Sequence, residues 1–380
     1  MFSAIKEMHA VRNGKPYRTV QYKGSPYCLE VTETDGGKTV YCFGAPIVDH
    51  AGQPVRRQFT DPGNGQGLYF YANGGKVTVG DRDTDDIILE NHLGQCRLTL
   101  PAVAPLQADG TLRDSHLSLR PTYGGICARV ACRVGEVYRC TVRAETLFPS
   151  ARRDGDSLAV AASGQIFSVL SCIGASDATG RLLSPAEMQM REIGAGTWEI
   201  TLSHTDADAA YLQFSLNLHG ERLLCDTVAE SRGKTRSSVY GDAAFLGCVG
   251  TRGKTRLYTE LNRSVLGHLI GQPFSRAILH LSIPGGGKTP ISLYRIESAD
   301  STERCRRRGR PPAYVEQPLL SRDRDCCRFD VTELMSDPSS GVLRPMGGWI
   351  VRAAPNSDGF CAVATGNNYD TPPVLELRMK

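Results

Sequence analysis

The chain has 380 residues, of which 41% are hydrophobic and 22% charged, with 44 Lys and Arg against 40 Asp and Glu for a formal net charge of +4. This length exceeds what one hydrophobic core supports, so several domains are expected. The near balance of charge excludes a nucleic-acid binder recognised by composition, and no 18-residue apolar stretch provides a membrane-inserting helix. Gly 40 and Pro 21 make the chain rich in turn formers, which favours many short strands.

The N-terminus, MFSAIKEMHAVRNGKPY, lacks the apolar core of a signal peptide. Synthesis and folding in the cytoplasm without a classical signal peptide are the expectation. There are 13 cysteines, an odd number, and no CxxC pair. Several occupy apolar strand positions, so reduced and mostly buried thiols are expected.

Period-two alternation dominates, and only residues 1–11, 184–192 and 263–270 suit short helices. The expected fold class is all-β, with tandem antiparallel β-sandwich or jelly-roll domains. Residues 1–18 form an N-terminal arm. Residues 19–110 form a β-rich domain with strands at CLEVTE, KTVYCF, GLYFYANGGKVTVG, DIILEN and CRLTLP, and with a hairpin around Asp35-Gly36-Gly37. Within it Asp81, Asp83 and Asp85 alternate like the carboxylates of a calcium loop. The positions an EF-hand reserves for glycine and glutamate are Asp86 and His92, so a hydrated turn is expected and structural calcium is the one cofactor considered.

In residues 111–232 each strand has one dry face: Tyr138, Cys140 and Val142; Trp198, Ile200 and Leu202; Leu212, Phe214, Leu216 and Leu218. Tyr211, Gln213, Ser215 and Asn217 form the opposite face of the last strand. An aromatic ring with amide donors suits a pyranose and its hydroxyls, so these four are the candidate glycan-binding residues; a solvated or interface-packed face is the plainer alternative. Gly135-Glu136-Val137-Tyr138, Gly196-Thr197-Trp198, Tyr211-Leu212-Gln213-Phe214 and Leu224-Cys225-Asp226-Thr227-Val228 give the segment a resemblance to carbohydrate-binding-module jelly rolls of phage tail proteins and polysaccharide-active enzymes.

Residues 233–380 carry a further set of strands: Ala277 to Ile283, Ser292-Leu293-Tyr294-Arg295, Phe329-Asp330-Val331-Thr332, Gly348-Trp349-Ile350-Val351-Arg352 and Pro372-Pro373-Val374-Leu375-Glu376-Leu377. In this order they resemble the DNRLRE family of extracellular β-sandwiches, related to a carbohydrate-binding-module family. The resemblance implies a sandwich closed by the terminal strand, with Leu375, Leu377 and Met379 on its dry face.

Catalytic strings do not assemble into a centre. Gly285-Gly286-Gly287-Lys288-Thr289 lacks the earlier glycine of a phosphate loop and runs into Pro290 rather than a helix. The GDSL string at Gly155-Asp156-Ser157-Leu158 has no histidine placed to activate its serine. His204, Asp206 and Asp208 suit a polar turn, and Arg306-Arg307-Arg308-Gly309-Arg310 a solvated loop. The expectation is therefore a non-enzymatic structural or adhesive component of a surface assembly: a virion appendage or capsid decoration, a spore layer or an extracellular filament. Its partners would be further copies of itself, with surface glycans as an alternative ligand class and a polysaccharide-active enzyme as a third reading. Neither nucleic acid nor membrane insertion is expected.

Overall fold

The computed structural model describes residues 17–22, 24–48, 55, 68–72, 75–79, 86–100, 112–113, 117–232, 234–247, 254–284, 289–296, 314–317, 319–322, 325–344, 348–354 and 359–380. The chain is nearly all β, in four antiparallel sheets. Strands are numbered along the chain.

Sheet I runs in the order β1 (Tyr17–Tyr22), β2 (Cys28–Glu33), β3 (Lys38–Phe43), β30 (Val374–Met379), β23 (Phe274–Ser282), β27 (Cys326–Asp330), β26 (Leu319–Arg322). Sheet II follows the path β20 (Lys234–Ser238), β19 (Leu224–Arg232), β22 (Lys254–Leu261), β28 (Gly348–Ala353), β24 (Ile291–Ile296), β25 (Tyr314–Gln317), with β21 (Ala243–Gly247) and β29 (Phe360–Ala364) attached through β22. Sheet III is β16 (Glu187–Gly194), β17 (Thr197–Ser203), β11 (Tyr138–Thr146), β7 (Gly94–Thr99), β6 (Asp86–Asn91), β5 (Gly75–Val79), β4 (Leu68–Ala72). Sheet IV is β12 (Pro149–Asp154), β13 (Ser157–Ala162), β14 (Gln165–Ser176), β18 (Tyr211–Leu218), β10 (Gly125–Ala131), β9 (Leu117–Pro121), β8 (Leu112–Arg113), with β15 (Leu182–Ser184) on β14.

The dry faces read from alternation make the cores. Val142, Trp198, Ile200, Leu212, Phe214 and Leu216 lie between sheets III and IV. Leu279, Phe329, Trp349, Val351, Leu375 and Leu377 lie between sheets I and II. Both tryptophans are thus core residues, one in each sandwich.

The β2–β3 hairpin around Asp35-Gly36-Gly37 forms in the expected place, with Cys28 opposite Cys42 and Leu29 opposite Tyr41. Its sheet membership differs from a self-contained 19–110 unit. β3 pairs with the terminal strand β30, so chain start and chain end close one sandwich, whereas β4 to β7 build sheet III of the other. The hairpin is buried on both faces: Val40 and Cys42 enter the core of sheets I and II, while Leu29, Val31, Tyr41 and Phe43 join the other core. A strand buried on both faces is apolar in near-continuous runs, as KTVYCF is.

Two short helices are described, α1 (Arg263–Leu266) and α2 (Thr332–Met335). The helix expected over 184–192 does not form: Ser184 ends β15 and the rest of the segment leads into β16. Its Met and Glu content suits a helix, but it pairs with β17 along its length and places Met188 in the core. Tertiary pairing overrides a weak helical preference.

Where β10 meets β18, Gly125 lies directly opposite Asn217. A Cβ there would collide with the Leu216 carbonyl oxygen and the Cα of Asn217. Gly125→Ala is expected to force these central strands apart and lower stability by about 3 kcal/mol, read as a shifted denaturant midpoint. An unchanged midpoint would refute this register.

Candidate functional site: a polar seam and an open edge strand

Tyr211, Gln213, Ser215 and Asn217 share one face of β18, as alternation requires, but that face is a seam rather than a groove. Gln213 is 6% exposed, Ser215 1% and Asn217 4%. Side chains of the other sandwich lie over the sheet: Phe245 and Ala362 pack on Cys127, Ile173 and Leu182. Tyr211 remains half-buried, and the Arg129 guanidinium carbon sits 4.3 Å over its ring. Gln213 Nε2 donates to the Gly180 carbonyl at 2.7 Å, and Thr122 Oγ1 donates to Asn217 Oδ1 at 2.6 Å. The ring and amides expected to meet a sugar are therefore engaged within the protein.

Sheet register sets a polar row across this face. Arg120 lies opposite Cys127, Cys127 opposite Ser215, Ser215 opposite Ser171, and Ser171 opposite Ser157. Asp242, from the loop before β21, sits on the row. Ser215 Oγ donates to Asp242 Oδ2 at 2.5 Å, and the Asp242 amide donates to Ser171 Oγ at 3.2 Å. Arg120 forms an ion pair with Asp370 at 2.7 Å. Burial, with Asp370 nearby, raises the Asp242 carboxyl to about 7, against the opposing hydrogen bonds from Ser215 and Ser171. A buried carboxyl kept neutral avoids the cost of an uncompensated charge between sheets.

Further polar contacts fasten the same junction. Asp154 Oδ2 accepts from the amides of Val239 and Tyr240 at 2.6 and 3.0 Å. The Arg222 guanidinium donates to Asn367 Oδ1, and Asn367 Nδ2 donates to the Val239 carbonyl at 2.8 Å. Chemically the seam fixes two sandwiches against each other; the hydroxyls of Thr122, Ser157, Ser171 and Ser215 all have protein partners.

The other candidates fall into structural roles. Ser157 of the GDSL string is fully buried in β13, its Oγ donating to Ser171 Oγ at 3.1 Å. His204 is buried, with Nε2 2.6 Å from the Cys132 carbonyl, and Asp206 caps its own turn through the Asp208 amide. Asp81, Asp83 and Asp85 lie outside the described residues, as do residues 285–288 and the basic run 306–310. Among the described residues no group of three or more His, Cys, Asp or Glu is placed to hold a metal ion. No helix among them is long and apolar enough to cross a membrane.

The accessible feature is the flank of the first sandwich. β16 ends sheet III, and among the described residues nothing pairs with its outer side. Met188 is buried and Met190 partly so, whereas Glu187, Gln189, Arg191 and Ile193 point outward and are exposed. Arg191 reaches Glu199 on β17 at 2.9 Å. Beside the β16–β17 turn, the corner between β11 and β12 projects Leu147 and Phe148, 75% and 81% exposed; Phe148 adopts a left-handed φ of 49°. Ala144 donates to the Gly196 carbonyl at 2.8 Å, which holds corner and turn together.

Alternation alone misses Asp242, which stands in a loop, and misreads the face it seals. The one available signal was the excess of serine and small residues at facing strand positions. No protein-family model matches the chain, and no curated protein matches it.

Proposed function

We propose that the protein is a non-catalytic structural or adhesive component of a surface assembly such as a virion appendage, spore layer or extracellular filament, and that it works by self-association. The observation that carries this reading is the charge order on the open edge of β16. In an antiparallel two-fold pairing of two copies centred on Gln189, each Glu187 faces Arg191 of the other copy. Met188 then lies opposite Met190. Each outward row reads Glu199, Arg191, then the partner's Glu187, alternating in sign across the joined sheet; opposite charges directly across strands stabilise pairing. The edge lacks the lysines, prolines and short length by which many edge strands are blunted, and its one register irregularity, between Glu192 and Gly194, lies outside the 187–191 stretch that pairs. A closed two-fold contact of this kind is the commonest route to a homodimer, and larger arrays need only a second contact.

The engaged seam supports a non-catalytic reading, and it leaves a glycan to seek a surface other than that of Gln213, Ser215 and Asn217. The DNRLRE-like order of residues 233–380 fits the same class of extracellular sandwich proteins. Light scattering on purified chain should give twice the monomer mass at tens of micromolar. Arg191→Glu, which sets Glu against Glu twice across the pairing, should shift the species to monomer with a loss of at least tenfold in dimer affinity. A monomeric wild-type protein at high concentration contradicts the proposal.

A further inference from the structure

Eleven described cysteines are free thiols, and one pair has its sulfurs in contact: Cys28 and Cys42, 3.2 Å apart and both fully buried. They are direct cross-strand partners in the β2–β3 hairpin. The Phe43 amide donates to the Tyr27 carbonyl, and the Cys28 amide turns back to the Ser25 carbonyl. Hydrogen bonding thus belongs to the 27/43 pair, which leaves 28/42 as a non-hydrogen-bonded pair. That class brings opposing Cα atoms to about 4.5 Å, within the span a disulfide bridges without moving the backbone.

A third group stands beside them. His268, in the turn after α1, approaches Cys28, and its Nε2 is a buried atom with no hydrogen-bond partner. The hydrogen bond shared with Cys42, and after it the His268 imidazole, hold the Cys28 thiol below the ordinary thiol range against the opposing effect of burial; burial pushes Cys42 up. Cys28, the sulfur with an imidazole beside it, is assigned as the nucleophile and Cys42 as the resolving thiol.

We propose that Cys28 and Cys42 are a redox-active pair that a small peroxide closes to a cross-strand disulfide, with His268 positioning and deprotonating Cys28. The Cys28 thiolate attacks one peroxide oxygen, the O–O bond breaks, and the departing hydroxide takes up the proton held by His268 to leave as water. The resulting Cys28 sulfenic acid is attacked by Cys42 sulfur; the S–S bond forms, and the sulfenic hydroxyl leaves with the Cys42 proton as a second water. Two thiols lose two electrons and peroxide gains them. Because β2 and β3 are neighbours in sheet I and both sulfurs face the core of sheets I and II, the bond would close the hairpin and stiffen the strands on which β30 pairs, as the protein passes from a reducing to an oxidising setting.

The test treats the reduced full chain with hydrogen peroxide, alkylates it and maps its peptides. The expected result is a loss of two alkylatable thiols from the 13 present, with a linked peptide pair carrying Cys28 and Cys42 as the first product. The thermal midpoint should rise by about 4 °C. His268→Asn should slow closure about tenfold at neutral pH while leaving its end point intact. Cys28→Ser and Cys42→Ser should each abolish the linked peptide; should either fail to fold, the wild-type map still decides. An unchanged thiol count, or first closure between other cysteines, overturns the proposal, and an unchanged rate in His268→Asn overturns the role of His268.

Discussion

A chain that begins at residue 49 is expected not to form the sandwich of sheets I and II, although every residue of 233–380 is retained. It loses β1, β2 and β3, three of the seven strands of sheet I, and exposes the long side of β30. It also loses Val40 and Cys42 from that core and Leu29, Val31, Tyr41 and Phe43 from the neighbouring one. At about 1.5–3 kcal/mol for each large buried side chain, the loss is on the order of 10 kcal/mol, the whole stability of an ordinary domain. Trp349 reports on this sandwich and Trp198 on the other. In a Trp198→Phe background the truncated chain should show the red-shifted emission of a solvated indole and no cooperative transition. A native-like blue emission from Trp349, or a folded 233–380 fragment, would contradict the shared hairpin.

The second large effect comes from Asp242. Burial raises its folded carboxyl to about 7, above its unfolded value. Between roughly pH 4 and 7 the folded state holds a proton that the unfolded state has released, so stability from this group falls as pH rises through that window and is level above it. The accumulated penalty at pH 8 is up to about 4 kcal/mol. Asp242→Asn keeps the size of the side chain and cannot ionise. It should match wild type near pH 4 and exceed it increasingly toward pH 8, in denaturant midpoints measured across that range. A difference that is constant with pH would show that Asp242 is already charged in its seat.

Much of the fold was legible because strand alternation is a local property. The dry faces of β11, β17 and β18, the hairpin at Asp35-Gly36-Gly37 and the core placement of both tryptophans follow from period two and turn chemistry. What was not legible is non-local. Nothing in VLELRM names KTVYCF as its neighbour, since both are apolar strands that would pair acceptably elsewhere; the ion pair of Arg378 with Glu33 spans 345 positions. Sequence likewise could not tell a solvated polar face from one sealed by Asp242. Serines and amides alternate identically whether they meet water or other protein groups. The strand at 187–194 was obscured by residues that favour helices in isolation, and only the pairing with β17 decides it.

The central claim, association through the β16 edge, is tested most directly by exchanging its two charges. Glu187→Arg combined with Arg191→Glu restores opposite charges across the two-fold pairing while reversing each of them. Sedimentation equilibrium should find dimer for wild type, monomer for Arg191→Glu alone and dimer again for the double variant. If the single variant remains dimeric, or the double variant stays as monomeric as the single, the edge pairing is not the contact and the account fails at its centre.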